Sequence, residues 1–198
     1  METDSTLLND ARTMNKDALV KIFDLYSSAL YNYALRLCGD AVMADHIVGD
    51  VFAKLLDQLS SGKGPSVNLR SYLYEITYHR IVDEVRYSRR RVPLEVVDWL
   101  AQGSDSAFLR VEDQILFKQI VDAIRNELTA DQRHVIILRF LEEFSLRETA
   151  AILGKHVSHV KVIQGRALAK LRRSLEYRGM RKAMSSARSR SVPNTVGI

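Results

Sequence analysis

Between Ser145 and Arg173 the chain reads SLRETAAILGKHVSHVKVIQGRALAKLRR. The residue types that could do chemistry here are hydroxyl, imidazole, amide, ammonium and guanidinium groups, and the chemistry is recognition of a polyanion. Lysine and arginine neutralise phosphates, and the first polar side chains of an exposed helix can touch base edges. The candidate DNA contacts are Ser158, His159, Lys161, Val162, Gln164, Arg166 and Lys170. Leu146, Ala150 and Leu153 mark a short amphipathic helix, and Gly154 stands where a left-handed residue ends it. Val157, Val160 and Ile163 then begin a second apolar period. Two short helices about a glycine, the second turning basic, outline a helix-turn-helix. The alternative is an αα-hairpin with a solvated basic face.

A second constellation lies upstream. Tyr72, Tyr74, Tyr78 and Tyr87 interleave with Arg70, Arg80, Arg86, Arg89, Arg90 and Arg91. Aromatic faces can stack unpaired bases while arginines hold the backbone of a single strand. Four tyrosines on one helix cannot all face DNA, so some belong to the core. Asp45, Asp50 and Asp57 offer an acidic face to a basic partner helix, or a merely solvated one. His79 and Asp83 have the i, i+4 spacing of metal ligands. No HExxH pattern, cysteine pair or glycine-rich phosphate loop accompanies them, so the chain reads as no enzyme, with no metal and no cofactor.

Helices must position these groups. The chain has three prolines, and nearly every glycine falls where a helix should stop. A first helix is predicted from the N-cap Asn15, with Asp17 in its first turn. Its apolar stripe is Leu19, Ile22, Phe23, Tyr26, Leu30, Tyr33, Ala34 and Leu37, and Gly39 ends it. Asp40 caps the next helix, with Ala44, Ile47, Val48, Val51, Phe52, Leu55, Leu56 and Leu59 inward. After the turn-rich loop Ser60 to Ser66, Asn68 caps a third helix through Leu73, Ile76, Ile81 and Val85. The period is lost from Val92 to about Ala107, which reads as a linker with Trp99 as an anchor or as ordinary burial. Phe117, Ile120, Val121, Ile124 and Leu128 resume it. Capping boxes, in which side chain and backbone N–H bond reciprocally, set helix starts at Thr129 (with Gln132) and Ser145 (with Glu148).

Of 198 residues, 46% are hydrophobic and 27% charged, with net charge +5, which suits a globular protein with a polyanionic partner. The single cysteine, Cys38, allows no internal disulfide and reads as a small buried residue. The polar N-terminus is no signal peptide, and apolar runs such as Val135 to Leu138 are too short to span a bilayer. The expectation is a cytoplasmic chain without membrane insertion.

At this length of pattern the chain resembles the extracytoplasmic-function (ECF) subfamily of the bacterial sigma-70 factors. Their region four runs L-x-x-x-[QR]-R-x-V-[IL]-x-L-R-[FY]-x-E-x-x-S-[YL]-x-E-[IT]-A-x-x-L-G, then V-K-x-x-x-x-R-A-x-x-x-L-R. In register here are Leu128, Gln132, Arg133, Val135, Leu138, Arg139, Phe140, Glu142, Ser145, Glu148, Ala150, Leu153, Gly154, Val160, Lys161, Arg166, Ala167, Leu171 and Arg172. LVKIFDLYSSALYNYALRLCGD, ADHIVGDVFAKLL and LRSYLYEITYHRIVDEVRYSRRR are similar to region two: its opening helix, acidic segment and promoter-melting helix.

The resemblance implies an all-α fold of two small helical domains joined by a short linker. The expected boundaries are a flexible N-terminus over 1–14, region two over 15–91, a linker over 92–110, region four over 111–177 and a disordered basic tail over 178–198. It implies a transcription initiation factor that binds core RNA polymerase. Region two would dock on the clamp helices of the largest subunit through Asp45, His46, Asp50 and Lys54. It would open the minus-ten element with Arg70, Tyr74, Tyr78, His79, Arg80, Arg86, Arg89 and Arg90. Region four would read the minus-thirty-five duplex and sit on the flap of the second-largest subunit. An anti-sigma protein is a further candidate partner. A helix-turn-helix regulator that forms no holoenzyme is the other reading. Several residues depart from the family: His46 and Gly49 in the acidic segment, Tyr72 for tryptophan, His79 for asparagine, and His156 at the recognition-helix cap. Gly165 inside that helix should cost about 1 kcal/mol against alanine.

Overall fold

The computed structural model describes residues 4–65, 68–88 and 120–190, and all regular structure among them is helical. The first domain holds α1 (Asp4–Arg12), α2 (Lys16–Cys38), α3 (Ala41–Ser60) and α4 (Leu69–Ser88). The second holds a helical stretch over 120–127 (α5), α6 (Ala130–Phe140), α7 (Leu146–Ile152) and α8 (Val157–Arg190). Arg89, Arg90, Arg91, the expected linker and Trp99 lie outside the described residues.

Local chemistry sets the helix ends. Asn15 accepts the backbone N–H groups of Asp17 and Ala18, and Gly39 closes α2 at φ 71°. Asp40 caps α3 through the N–H of Met43, and Asn68 receives the N–H of Ser71 at 3.0 Å at the start of α4. Both capping boxes form, Thr129 with Gln132 and Ser145 with Glu148. The Ser145 hydrogen bonds hold the Glu148 carboxyl below its ordinary pKa, against a smaller opposing effect of burial. Gly154 takes φ 59° in the turn of the helix-turn-helix. Between α6 and α7 the left-handed position falls on Glu143, at φ 56°, where a side chain costs on the order of 1 kcal/mol.

Two expectations are corrected. Residues 4–12, expected to be flexible, form α1, because Leu7, Leu8 and Ala11 make a one-sided stripe that the core buries. The tail, expected to be disordered from 178, continues α8 to Arg190. Alanine, lysine, arginine and methionine propagate a helix already nucleated upstream.

Most of the predicted inward residues are buried, but Phe23 and Leu56 are 48% and 40% exposed. With Leu19, Val20, Phe52 and Leu55 they line an open apolar groove between α2 and α3. A larger departure is that the two domains share one core. Buried residues of α2, α3 and α4 form a continuous cluster with Val135, Ile137, Leu138, Phe144, Ala150, Ile152 and Val160 of the second domain. A satellite cluster of Ala123, Ile124, Leu128, Ile136, Ala167 and Leu171 fixes α5 and α6 on α8.

A Cβ at Gly165 would meet nothing within 4 Å. Gly165→Ala should therefore raise the unfolding free energy by about 1 kcal/mol, by removing backbone entropy from the unfolded chain. Denaturant titration of the two proteins measures it; no gain would mean the helix is locally distorted there.

Candidate nucleic-acid interface

The second helix of the helix-turn-helix has one buried and one open face. Val160, Ile163 and Ala167 point into the core, while Ser158, His159, Lys161, Val162 and Arg166 are exposed. The unusual cap has a physical answer. His156 Nδ1 accepts the backbone N–H of Ser158 at 3.4 Å and lies 2.7 Å from its hydroxyl. The imidazole thus takes the place of a serine or threonine oxygen, and the carbonyl of His156 accepts the N–H groups of His159 and Val160 at the positive end of the α8 dipole.

Two candidate contacts of this helix are engaged elsewhere. Gln164 Oε1 accepts from Arg139 Nε at 3.1 Å, and Arg139 also donates to the carbonyl of Phe144. Lys170 Nζ donates to the carbonyl of Glu127 at 3.1 Å, tying α8 to α5. In this arrangement both brace the domain, which leaves Ser158, His159, Lys161, Val162 and Arg166 as the open set.

On α3, Asp45, His46, Asp50 and Lys54 are exposed. Asp50 forms an ion pair with Arg80 of α4, so one acidic candidate and one melting candidate are joined to each other. Both are roughly half exposed, and such pairs contribute little to stability. On α4, His79 and Arg86 are exposed, whereas Tyr78 is half-buried with its ring 4.8 Å from that of His134. Tyr74 departs most from expectation. It is 0% exposed, stacks edge-on to Phe144 and donates to Glu142 at 2.5 Å. Burial and the Glu142 charge raise its pKa above the ordinary phenol value. Arg70 lies 4.1 Å over the Phe144 ring and donates to the carbonyl of Glu142 at 2.5 Å. Tyr74 cannot receive a base in this arrangement, because the second domain covers it.

These contacts belong to a buried polar network between the domains. Glu142 also receives Arg36 of α2 at 2.9 Å, and Tyr33 of α2 is 2.8 Å from Nδ1 of His134 on α6. Burial lowers the His134 pKa from 6.5 to about 3; Asp131 opposes this, and Arg133 and Lys155 reinforce it. Around this imidazole stand Tyr33 from α2, Tyr78 from α4, Asp131 and Arg133 from its own helix, and Lys155 from the turn after α7. The unfolded chain therefore takes up a proton near pH 6.5 that the folded chain refuses. Stability should fall as pH drops from about 6.5 toward 3, at up to about 1.4 kcal/mol per pH unit. Denaturant unfolding at pH 7 and pH 5 should differ by about 2 kcal/mol, with the difference diminished in His134→Gln. An unchanged difference in that variant would assign the effect to another group.

Arg36, Glu142, His134 and Tyr33 were not singled out as site residues from the sequence. Glu142 carried a signal only as a position in register with the region-four pattern, and Tyr33 only as part of an apolar stripe; Arg36 and His134 carried none. Cys38 is buried and its thiol pKa is pushed up to about 12, chiefly by desolvation, which leaves it inert.

The arrangement defines a class: a two-domain helical DNA reader, one domain a helix-turn-helix and the other a bundle carrying aromatic and cationic side chains on α4. The family model described as Sigma-70 region 2 matches residues 22–91, and that described as Sigma-70, region 4 matches residues 126–173. The ECF RNA polymerase sigma factor SigX of Bacillus subtilis is 30% identical over 161 residues, covering 78% of this chain and 82% of SigX. BldN of Streptomyces coelicolor, also an ECF RNA polymerase sigma factor, is 27% identical over 173 residues; the match covers 85% of this chain and 64% of BldN. Among solved structures, CnrH in complex with the cytosolic domain of CnrY superposes with a TM-score of 0.64 at 25% identity, over 88% of this chain and 97% of CnrH. The sigma factor RpoE of Bartonella quintana, in complex with the anti-sigma factor NepR, gives 0.63 at 25%, over 79% and 95%. The chain belongs to the ECF sigma factors of the sigma-70 family, whose members are transcription initiation factors and not enzymes.

Proposed function

We propose that this chain is a dissociable specificity subunit of core RNA polymerase, with region two over 15–91, region four over 111–177 and a linker between. The observation that carries the reading is the open N-terminal face of α8. Ser158, His159, Lys161, Val162 and Arg166 share it, backed by a buried Val160, Ile163 and Ala167. That face is suited to the major groove of the minus-thirty-five duplex, with Gln164 and Lys170 joining it only if they leave their present partners. Asp45, His46, Asp50 and Lys54 form the surface for the clamp helices of the largest subunit, and region four meets the flap of the second-largest. Arg70, Tyr74, Tyr78, His79, Arg80, Arg86, Arg89 and Arg90 serve the opened minus-ten strand. Two of them, Arg70 and Tyr74, require the second domain to move away.

An anti-sigma protein is a candidate partner, since CnrH and RpoE were each solved in complex, the latter with an anti-sigma factor. No helix among the described residues is long and apolar enough to cross a membrane, and a subunit of core polymerase would act in the cytoplasm. The reading needs no metal or cofactor. Run-off transcription with purified core polymerase and a genomic fragment library tests it. The expected result is discrete transcripts that depend on the added chain. No holoenzyme and no transcript would favour a helix-turn-helix regulator acting without polymerase.

A further inference from the structure

We propose that the cavity between α4 and α6 is a binding site for a small organic anion, a flat apolar body bearing one phosphate or carboxylate head. The cavity has a volume of about 310 Å³, at the lower end of the range for small-molecule sites. Its walls are of two kinds. Leu37 of α2 and Tyr78, Ile81 and Val82 of α4 form an apolar side. Arg86 of α4, Arg133 of α6 and Lys155 of the turn after α7 form a cationic side. Against these three cations the lining sets one carboxylate, Asp131, which holds Lys155 at 3.0 Å. The lining therefore carries an excess of positive charge. His134 completes the wall as a neutral ring: its Nδ1 lies 2.8 Å from the Tyr33 hydroxyl, and burial holds its pKa at about 3. The site is separate from the outer face of α8 that carries the promoter reading, so its failure would leave that reading intact.

Like charges gathered around an apolar concavity repel one another, and an anion standing between them turns that repulsion into attraction. The start of α6 lies in the same wall, at Ala130 and Asp131, and its dipole adds to the pull on an anion. An inorganic ion would satisfy the cations but leave the aliphatic wall wet. A neutral ring would cover that wall but leave the cations uncompensated. One molecule with both parts satisfies both sides, and an apolar lining with a few placed polar groups is the usual make-up of a small-molecule site. A nucleic-acid backbone fits less well. It needs an open basic track, whereas Arg133 and Lys155 are half-buried and the cavity is backed by Ile81, which is fully buried.

Isothermal titration calorimetry on the full chain tests the site with naphthyl phosphate and naphthoate as probes, which differ in the head. Inorganic phosphate and naphthol serve as the separate halves. The expected result is one molecule of at least one probe bound per chain, with a Kd below about 1 mM and at least about tenfold tighter than either half. Arg133→Gln should weaken that binding about tenfold, through loss of one charged hydrogen bond. Val82→Phe, which fills the cavity without changing its charge, should remove it. Val20→Glu, in the apolar groove between α2 and α3, should leave it unchanged. Far-UV circular dichroism verifies folding. Lys155→Gln, which should also weaken binding, probes the cavity from another element if Val82→Phe folds poorly. Absence of binding by both probes overturns the site. Equal affinity for inorganic phosphate overturns it by reducing it to a cation cluster of the kind a nucleic-acid backbone uses, and equal affinity for naphthol by reducing it to an apolar cleft. Binding that survives Val82→Phe and is lost in Val20→Glu overturns it by moving the probe to the groove between α2 and α3.

Discussion

Phe144→Ala should lower the unfolding free energy by about 3–5 kcal/mol, which is a large share of the stability of a chain this size. Phe144 is 1% exposed and sits in the short connection between α6 and α7. Its ring touches Tyr74 at 4.8 Å between centroids and carries the Arg70 guanidinium at 4.1 Å. Its backbone is bound at both ends, the N–H to the carbonyl of Leu138 at 2.9 Å and the carbonyl to Arg139. The connection therefore cannot collapse into the space that the ring vacates. The loss includes the transfer free energy of the ring, the cavity left behind and the cation–π contact. Because the walls come from both domains, the variant should also unfold with lower cooperativity, a broader calorimetric transition being the sign. A loss below 1 kcal/mol would mean that the two domains do not form one cooperative unit, and the shared core would carry no weight.

Lys161→Ala combined with Arg166→Ala should weaken binding to a promoter duplex by about a hundredfold at moderate salt, each charged hydrogen bond contributing at least 1.5 kcal/mol. Both side chains are exposed on the outer face of α8, and neither takes part in an ion pair among the described residues. If both contact phosphates, the slope of log affinity against log salt should also become shallower by about 1.8, near 0.9 per contact. The slope separates this outcome from misfolding, which would lower affinity without a defined change in ion release. A double variant that binds with wild-type affinity and slope would move the DNA face of region four elsewhere. One that loses affinity with an unchanged slope would make the two residues readers of base edges instead.

Much of the fold was legible because its signals are local. The caps at Asn15, Asp40, Thr129 and Ser145 satisfy backbone donors within three residues, so their chemistry is written next to the helices they start. The open set on α8 was legible for the same reason, since a period of 3.6 residues separates Val160 and Ile163 from Lys161 and Val162. Helix α1 was missed because its stripe is short and its burial depends on helices far along the chain. The tail was misjudged by composition, which measures the absence of a core but not the continuation of a helix already formed.

By itself the sequence determined the helices after α1, their capped starts, the helix-turn-helix and the family, all of which follow from spacings of a few residues and from motif order. Only the tertiary structure decided which tyrosine is core, that Asp50 faces Arg80, that Gln164 and Lys170 are braces, and that Glu142 joins the domains. The physical reason is sequence distance. Arg36 and Glu142 are separated by 106 residues, and Tyr33 and His134 by 101. No periodicity or cap reports a contact of that range, because it depends on how whole helices pack and on which buried charges then have no other partner.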